Sequence, residues 1–430
     1  MVGRVVGYWF DPMLHLWAFG LSVMLLSFSG CGEGKPRFEA NNVFRLRVEA
    51  ETGREQRDAQ QQVVALMESW FGSPDEPKWP NTEASEEVVL VNADNLVRAA
   101  GAVRSERDDK HYGLFREHCS NCHGLTGDGR GPTALFLAPY PRDFRPGWFK
   151  YKSTKRGSKP TREDLVRVVQ HGIPGTSMPS FGLIEEADLQ AIIDYVIYLS
   201  VRGELERDLL YEAAQDDELV STGVKNSEGE SLLEAKAKEL LTEIQSQWLT
   251  ASQTEVPVSV PALAEGSPDR LAAIDRGRNL FLGAVAACAN CHGKTGAGNG
   301  QVRDYDDWTK DGTVRAGIEP SDRAGLKEYF AAGGLKPVPI SPRDLRSGVY
   351  RGGNRPEDIY RRIVQGIEGT PMPAVAMKPD NPQGLTEQEV WDLVFYVLEM
   401  PREVGSAKPT DADNARSSAV ATASVEETLQ

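Results

Sequence analysis

This chain has fewer basic than acidic residues. Its 430 residues contain 48 lysines and arginines against 63 aspartates and glutamates, which gives a formal net charge of −15. This balance repels nucleic acid and anionic lipid, and it suits solubility or docking on a basic partner. Nucleic-acid binding is therefore disfavoured. The hydrophobic content of 40% is ample for ordinary cores, so the chain is globular, with room for two or three domains.

Cysteine is also scarce, and its placement is not random. Of five cysteines, four belong to two C-x-x-C-H units that begin 169 residues apart. The first unit opens CSNCHGLTGDGRG (residues 119–131) and the second opens CANCHGKTGAGNG (residues 288–300). Three further blocks repeat in the same order: residues 141–151 with 342–352, 161–179 with 355–373, and 184–200 with 385–400. Four blocks in one order indicate two copies of one domain.

The fifth cysteine, Cys31, follows an apolar run of about 17 residues (14–30) that contains no acidic residue. This is the outline of an export signal, and the ending LSFSGC resembles a bacterial lipoprotein signal, in which the cysteine becomes the lipidated first residue. An uncleaved transmembrane anchor and an ordinary cleaved signal remain alternatives. We predict a signal peptide over residues 1–30, lipidation at Cys31, and a membrane-attached protein on the periplasmic or extracytoplasmic side.

The remaining pattern predicts a mainly helical chain. Apolar residues at helical spacing around 63–71 predict one amphipathic helix in a tethering segment, and residues 87–95 favour a short strand. Each copy ends in an amphipathic helix. The predicted order is a signal (1–30), an N-terminal tether (31–100), domain 1 (101–205), a helical, proline-containing linker (206–262), domain 2 (263–402) with an insert (301–340), and a disordered tail (403–430).

C-x-x-C-H is the attachment signature of c-type haem. Two residues between the cysteines place both sulfurs within reach of the two vinyl groups of one porphyrin, and the adjacent histidine is carried beneath the iron. A thioredoxin-like pair would need a βαβ context, and zinc knuckles normally lie about 15–20 residues apart. We therefore predict two haem c groups. The residues assigned are Cys119, Cys122 and His123 in the first copy and Cys288, Cys291 and His292 in the second.

A lack of histidine narrows the choice of the second axial ligand. No histidine follows Cys288 except His292, so the second haem cannot take two histidines from its own domain. Methionine is the obvious candidate. Met178 is the only methionine between Cys119 and Met372, whereas the second copy offers three.

Alignment of the two G-T-x-M-P strings selects Met372 over Met377 and Met400, and it pairs Met372 with Met178. The proline after each methionine restricts the loop and favours a fixed presentation of the sulfur. The alternative is that these methionines fill gaps in the core.

Other candidate residues near the first haem have plainer interpretations. We interpret His111, His118 and His171 as solvated or capping side chains. The repeated Pro-Arg-Asp tripeptide offers Arg142 and Arg343 to haem carboxylates, since a guanidinium suits a carboxylate. Surface arginines are common, so both interpretations of these arginines stay open.

These motifs resemble those of class I of the cytochrome c family, in a tandem dihaem form. The likeness rests on the Leu-Phe pair before each haem unit, C-x-x-C-H-G, G-T-x-M-P and the aromatic residue of the terminal helix. It covers about residues 105–200 and 272–400. In that family the first and last helices cross near a glycine and an aromatic residue. The positions that match here are Gly113 and Tyr195 in the first copy and Gly277 and Tyr396 in the second.

The resemblance implies a membrane-attached dihaem cytochrome that passes single electrons and is not itself an enzyme. Its expected partners are redox proteins of a respiratory chain, as a subunit or neighbour of a quinol-oxidising complex or a terminal oxidase or reductase. Alternatives are a dihaem peroxidase, which needs one open or switchable haem, and a haem-based redox or gas sensor. The matched methionine loops argue against the peroxidase, and no motif supports the sensor.

Overall fold

The structure is a computed structural model that describes residues 35–80, 89–106, 110–221, 223–300 and 304–406. Its contacts divide the chain into Met1–Arg37 and Phe38–Gln430, and every element below lies in the second unit. The predicted signal peptide, Cys31 and all but the start of the predicted tail lie outside the described residues. Within these ranges, no helix combines the length and the apolar character needed to cross a bilayer.

The fold is mainly α, as the sequence predicts. The helices up to the end of the first copy are α1 (Asn42–Thr52), α2 (Arg57–Phe71), α3 (Ala93–Ala99), α4 (Leu114–His118), α5 (Ser120–His123), α6 (Arg162–His171) and α7 (Glu186–Gln215). Those that follow are α8 (Leu232–Leu249), α9 (Pro268–Leu282), α10 (Cys288–His292), α11 (Asp307–Gly312), α12 (Leu326–Ala331), α13 (Pro356–Gln365) and α14 (Glu387–Ser406).

Strands are short and paired locally in the described ranges. Strands β1 (Arg104–Ser105) and β2 (His111–Tyr112) are antiparallel, with Arg104 opposite Tyr112. Strands β3 (Asp304–Tyr305) and β4 (Pro339–Ile340) are also antiparallel and tie together the two ends of the predicted insert. The predicted strand at 87–95 is wrong over its described part, because α3 begins at Ala93, where the Asn92 side chain accepts bonds from the next two backbone N–H groups.

The described part of the predicted tether contains three helices, so the expectation of one was incomplete. Helix α2 ends at Phe71 and is followed by Gly72 as its C-cap. Its residues Val63, Met67 and Phe71 are buried in the same core as the terminal helix of the first copy, and Tyr198 of that helix donates a hydrogen bond to the Phe71 carbonyl at 2.5 Å. This segment therefore forms part of the wall of the first copy.

The two terminal helices, α7 and α14, carry the apolar stripes predicted for them. Nine of the ten stripe residues are buried and Leu398 is half-buried. The buried ones are Leu189, Ile192, Ile193, Val196 and Leu199 on α7 and Val390, Leu393, Val394 and Val397 on α14. Both helices extend beyond their predicted ends: α7 continues to Gln215 and α14 to Ser406, so the first residues of the predicted tail are helical.

The predicted crossing of first and last helices places its glycine against the last helix only in the second copy, although Phe115 of the first copy does pack on Tyr195. A Cβ on Gly277 of α9 would lie 2.0 Å from the Asp392 carbonyl oxygen and 2.9 Å from the Tyr396 Cβ, so only glycine permits this approach. In the first copy, Gly113 instead abuts the backbone of Ala102 and Val103. The reason is that the single helix α9 of the second copy corresponds to two helices, α3 and α4, in the first. Helix α3 packs on α7, and strands β1 and β2 separate α3 from α4.

The linker is helical, as predicted, and it packs on the first copy. Leu233, Leu241, Ile244 and Trp248 of α8 are buried in the core of that copy, and Leu240 is partly buried against it. The proline-marked stretch after α8 is attached too, since the Val256 amide donates to the Ser153 carbonyl at 2.9 Å. No helix or strand occurs between Glu255 and α9.

Candidate functional site

Each C-x-x-C-H unit forms a short helix, α5 or α10, over which the glycine-rich tail folds back. The Gly131 amide donates to the Cys122 carbonyl, and the Gly300 amide donates to the Cys291 carbonyl, both at 3.1 Å. A Cβ on either glycine would lie within 2.5 Å of a backbone oxygen of the unit. The tail is repeated with the cysteines because it closes the turn that presents them.

The histidine of each unit is oriented by a backbone carbonyl. His123 Nδ1 donates to the Arg142 carbonyl at 2.9 Å, and His292 Nδ1 donates to the Arg343 carbonyl at 3.2 Å. This bond leaves Nε2 as the atom with a free lone pair. Burial lowers the pKa of both imidazoles, so both are neutral and able to ligate a metal at neutral pH.

That bond assigns the repeated Pro-Arg-Asp block a role that the sequence did not show. Its arginines were singled out for their side chains, but it is their main-chain oxygens that fix the histidine rings. Phe144 in the same block stacks on the His123 ring, with centroids 4.7 Å apart and planes 15° apart. The signal was present in the repeat itself, since the block occurs at the same place in both copies.

The cysteines suit covalent attachment of haem better than the rival chemistries. None of the four is paired in a disulfide bond. Burial, with a smaller contribution from the neighbouring thiol, raises the pKa of Cys119 to about 12, and burial raises the pKa of Cys288 to about 11. A thioredoxin-like pair needs a lowered pKa. In the described part of the chain, no group of three or more histidine, cysteine or acidic side chains is placed to hold a metal ion.

The two methionine loops have the same hydrogen-bond pattern. The Met178 amide donates to Thr176 Oγ1 at 3.1 Å, and the Met178 carbonyl accepts from the Ile173 amide at 3.1 Å. The corresponding distances at Met372 are 3.3 Å to Thr370 Oγ1 and 3.2 Å to the Ile367 amide. The threonine and the isoleucine therefore hold the backbone of each methionine in one shape.

One cavity of about 510 Å³ brings the predicted residues of the first copy together. Cys119, Cys122, His123 and Met178 all line it. Its apolar wall comes from Phe115, Phe144, Leu165, Val169, Ile192 and Val196. An apolar cavity with two thiols, a neutral imidazole and a thioether on its surface fits a haem c group, so the residues present match the cofactor that the sequence predicts.

The three methionines of the second copy lie in different surroundings. Met377 packs against the core of that copy, and its carbonyl accepts the Asn381 amide at 2.8 Å. Met400 is buried, with its sulfur 2.6 Å from where a Cβ of Gly296 would lie. Leu199 occupies the equivalent place against Gly127 in the first copy. Since a leucine packs against the equivalent glycine in the first copy, we interpret Met400 as a core residue.

The other histidines near the first cavity differ from one another. His171 Nδ1 donates to the Arg167 carbonyl at the end of α6, and the His111 ring bonds Ser105 and Glu117, in keeping with capping or solvated roles. His118 differs from that interpretation, because it borders the cavity with its ring edge-on to Phe181 at 6.0 Å.

The insert of the second copy lies over the cavity of the first. Residues of α11, α12 and the turn after α12 line that cavity, among them Trp308, Thr309, Tyr329, Gly333 and Leu335. The Arg130 guanidinium donates to the Gly333 carbonyl at 2.8 Å, and Arg142 lies over the Trp308 ring at 3.7 Å. The sequence predicts the insert, but it does not show that the insert would lie over the first copy.

Comparison with known families matches each copy separately. Residues 106–196 match the model described as cytochrome c oxidase, cbb3-type, subunit III, and residues 274–401 match the model described as cytochrome c. Both matched ranges contain a C-x-x-C-H unit and a G-T-x-M-P loop.

Among curated proteins, the chain is similar to two proteins named cytochrome c55X. It is 35% identical over 102 residues to the one from Paracoccus denitrificans (strain Pd 1222), a match that spans 23% of this chain and 80% of that protein. It is 33% identical over 103 residues to the one from Stutzerimonas stutzeri, which spans 23% of this chain and 73% of the relative.

Among solved structures, a chain of the reducing HAO-like protein complex of Kuenenia stuttgartiensis aligns with a TM-score of 0.41 and 22% identity. The alignment covers 67% of this chain and 94% of that one.

Proposed function

Because the chain belongs to the cytochrome c family and is a haem c electron carrier, we propose that it holds two haem groups, one in each copy, and passes single electrons between redox proteins. The observation that carries the proposal is the first cavity, where Cys119, Cys122, His123 and Met178 meet around an apolar space. The second copy supports it with the same histidine-to-carbonyl bond and the same methionine loop.

Each group of side chains has a distinct task. Cys119 and Cys122, and Cys288 and Cys291, hold the porphyrin covalently. His123 and His292 present Nε2 to the metal because their Nδ1 atoms are bonded to carbonyls. Met178 and Met372 present sulfur from loops of fixed shape. When bound, haem iron supplies a one-electron couple, and a methionine ligand raises its potential.

Ligation from both sides favours a carrier over a catalyst. A haem held by both the histidine and the methionine of a copy would have no open position for a substrate. A peroxidase would need one of these side chains to be absent or displaced, with acid and base groups beside the vacated position. We therefore propose transfer of electrons without transformation of a molecule.

The place of the protein in the cell is part of the proposal. The apolar run before Cys31 favours a lipidated, membrane-attached protein that faces the periplasm or another extracytoplasmic space. High-potential ligation suits a respiratory chain between a quinol-oxidising complex and a terminal oxidase or reductase. The net charge of −15 favours a partner with a basic docking face.

Optical spectroscopy of the holoprotein tests the proposal. We expect two covalently bound haems per chain, low-spin ferric and ferrous spectra, and the weak long-wavelength band of methionine bound to ferric iron in both sites. Stoichiometric binding of carbon monoxide without loss of a protein ligand would show an open site and support the peroxidase instead. A matured protein without colour would contradict any haem function.

A further inference from the structure

One end of the first cavity is built from both copies. Arg142 and Tyr151 come from the first copy, and Trp308 and Arg351 come from the second. We call these four residues the donor end. Arg142 lies over the Trp308 ring at 3.7 Å, and Arg351 Nη2 donates to the Gly175 carbonyl at 3.4 Å, beside the methionine loop of the first copy.

The donor end has donors without acceptors. Within the described residues, the buried Trp308 Nε1 and Arg351 Nε have no hydrogen-bond partner. The Arg142 guanidinium lies over the Trp308 ring. Burial lowers the pKa of Arg142 to about 10 and raises that of Tyr151. Buried donors left unsatisfied cost free energy, so an acceptor in the cavity is the expected partner.

Other arginines of the cavity differ, because each already has a carboxylate. Arg130 pairs with Asp128 at 2.7 Å, and Arg145 pairs with Asp143 at 2.8 Å. The arginines of the donor end are therefore unlike the other arginines of the cavity, which are paired with carboxylates.

The carboxylates of the protein nearest Arg142 are engaged elsewhere. Glu368 pairs with Lys152 at 2.6 Å, and Asp306 caps α11 by accepting from the Thr309 amide at 2.7 Å. Asp143 binds Arg145, as described above. No acidic side chain in the described ranges is within hydrogen-bonding distance of the Arg142 or Arg351 guanidinium. A bound ligand with anionic oxygen atoms would supply an acceptor for these donors.

We propose that the donor end binds the carboxylates of the haem held by His123 and Met178, so that the second copy completes the haem site of the first. This inference rests on the proposed function. Guanidinium, indole N–H and phenol O–H groups match an anionic oxygen acceptor, and haem c carries two carboxylates.

Trp308 is held in place by the second copy. A Cβ on Gly369, three residues before Met372, would lie 2.0 Å from the Trp308 ring, so this loop packs directly on the indole. The indole also contacts Arg142, and Trp148 lies edge-on to it at 6.3 Å. The contact between the copies therefore fixes the donor nitrogen, and the electrostatics of the first haem depend on that contact.

The test is a redox titration of both haems in the holoprotein carrying Trp308→Phe. This variant keeps an aromatic ring beside Arg142 and removes the indole N–H together with the rest of the five-membered ring; the control below loses the same atoms. A carboxylate that loses a donor holds more negative charge beside the iron, so the midpoint potential of the first haem falls and its pH dependence grows. The second haem keeps its potential. Arg351→Met is expected to act in the same direction.

Trp148→Phe is the matched control, because Trp148 is an indole in the same aromatic group that does not line the cavity. It should leave both potentials unchanged. The haem content and the methionine band of each variant show whether the haem site has formed. If Arg351→Met does not incorporate haem, the potential of Trp308→Phe alone tests the inference. Unchanged potential of the first haem in a fully loaded Trp308→Phe protein overturns the inference and leaves the proposed function intact. Absence of haem from the wild-type protein overturns the proposed function itself.

Discussion

The two copies share their ligand-bearing parts and differ in what surrounds them. Both have a cysteine helix closed by glycines, a histidine bonded to the arginine carbonyl, and a methionine loop fixed by threonine. Around the first copy are packed α1 to α3, α8 and the insert. The second copy is built on the crossing of α9 with α14, and it contributes its insert to its neighbour.

This difference teaches that duplication preserved the chemistry and divided the structural roles. The parts that touch a haem are constrained by its shape and repeat closely. The parts that cover it are free to be supplied by any segment of sufficient length. The insert of the second copy, with Trp308 against Arg142, is such a segment.

The largest expected effect comes from removing the methionines. Met178→Ala should abolish the methionine band of the first haem and lower its potential by on the order of 0.1 V or more, because axial-ligand identity is a main determinant of haem potential. Met372→Ala should do the same to the second haem. Spectroelectrochemical titration of each variant measures both effects.

Met377→Ala is the control for the second copy, since Met377 packs in the core and its carbonyl is engaged by Asn381. It should leave the second haem unchanged. If Met377→Ala disturbs that haem while Met372→Ala does not, the equivalence of the two methionine loops is wrong.

Gly277→Ala tests whether the second copy depends on its helix crossing. The added methyl group would overlap the Asp392 carbonyl, so α9 and α14 must separate. We expect a loss of about 2–3 kcal/mol in the free energy of unfolding, as for other overpacked cores. Leu282→Ala, at a 46% exposed site on the same helix, should change stability by less than about 0.5 kcal/mol. Equal effects of the two substitutions in thermal unfolding would refute the tight crossing.

The buried aspartates of the terminal helices sharpen the comparison further. Asp194 accepts from the Asn92 amide at 3.1 Å and from Asn95 Nδ2 at 2.7 Å, which attaches α3 to α7. Asp392 accepts two hydrogen bonds from Arg276, at 2.7 and 2.8 Å. The Arg276 side chain is 53% exposed.

Removal of the Asp194 side chain leaves the Asn92 amide without its acceptor. Removal of the Asp392 side chain leaves Arg276, whose exposed side chain can bond to water instead. We expect Asp194→Ala to cost about 2 kcal/mol and Asp392→Ala about 1 kcal/mol in unfolding free energy. Denaturant titration of the two holoproteins measures the difference. A larger loss at Asp392 would mean that the divided helix of the first copy is held chiefly by its apolar contacts.

The repeat made the shared parts predictable. Two copies of a motif give independent support to each assignment, and Met178 and Met372 were chosen on that ground. The apolar stripes of α7 and α14 followed from helical periodicity, and both are buried. The mainly helical class and the family followed from the same blocks.

The unshared parts were hard to predict because their partners are distant in sequence. Nothing near Trp308 in sequence indicates that its ring will meet Arg142, 166 positions earlier. The division of the first helix was also hidden, since Gly113 and Gly277 precede similar Leu-Phe pairs but have different neighbours. Periodicity reports the face a helix buries and does not report what it is buried against.

The smallest predicted effect concerns a part of α7 that extends beyond the repeated blocks. Burial, and then the charge of Glu204, raise the pKa of Asp208 to about 6, while Arg207 and Lys159 oppose the shift and Glu243 adds to it. The folded state therefore holds this proton more tightly than the unfolded chain, whose carboxyl titrates near its ordinary value of about 3.9. Stability should fall as the pH rises from about 4 to about 6 and remain lower above that range.

Asp208→Asn removes the charge and should raise the unfolding free energy by about 1 kcal/mol at pH 7.5, with no gain at pH 4. Asp217→Asn, at a side chain that is 74% exposed, should leave the pH profile of stability as it is in the wild type. Denaturant titrations at several pH values compare the three proteins. A gain of the same size at pH 4 and pH 7.5 would show that the amide stabilises α7 for a reason other than the lost charge. In that case the extension of α7 would not make the stability of the first copy depend on pH in a way that the second copy's does not.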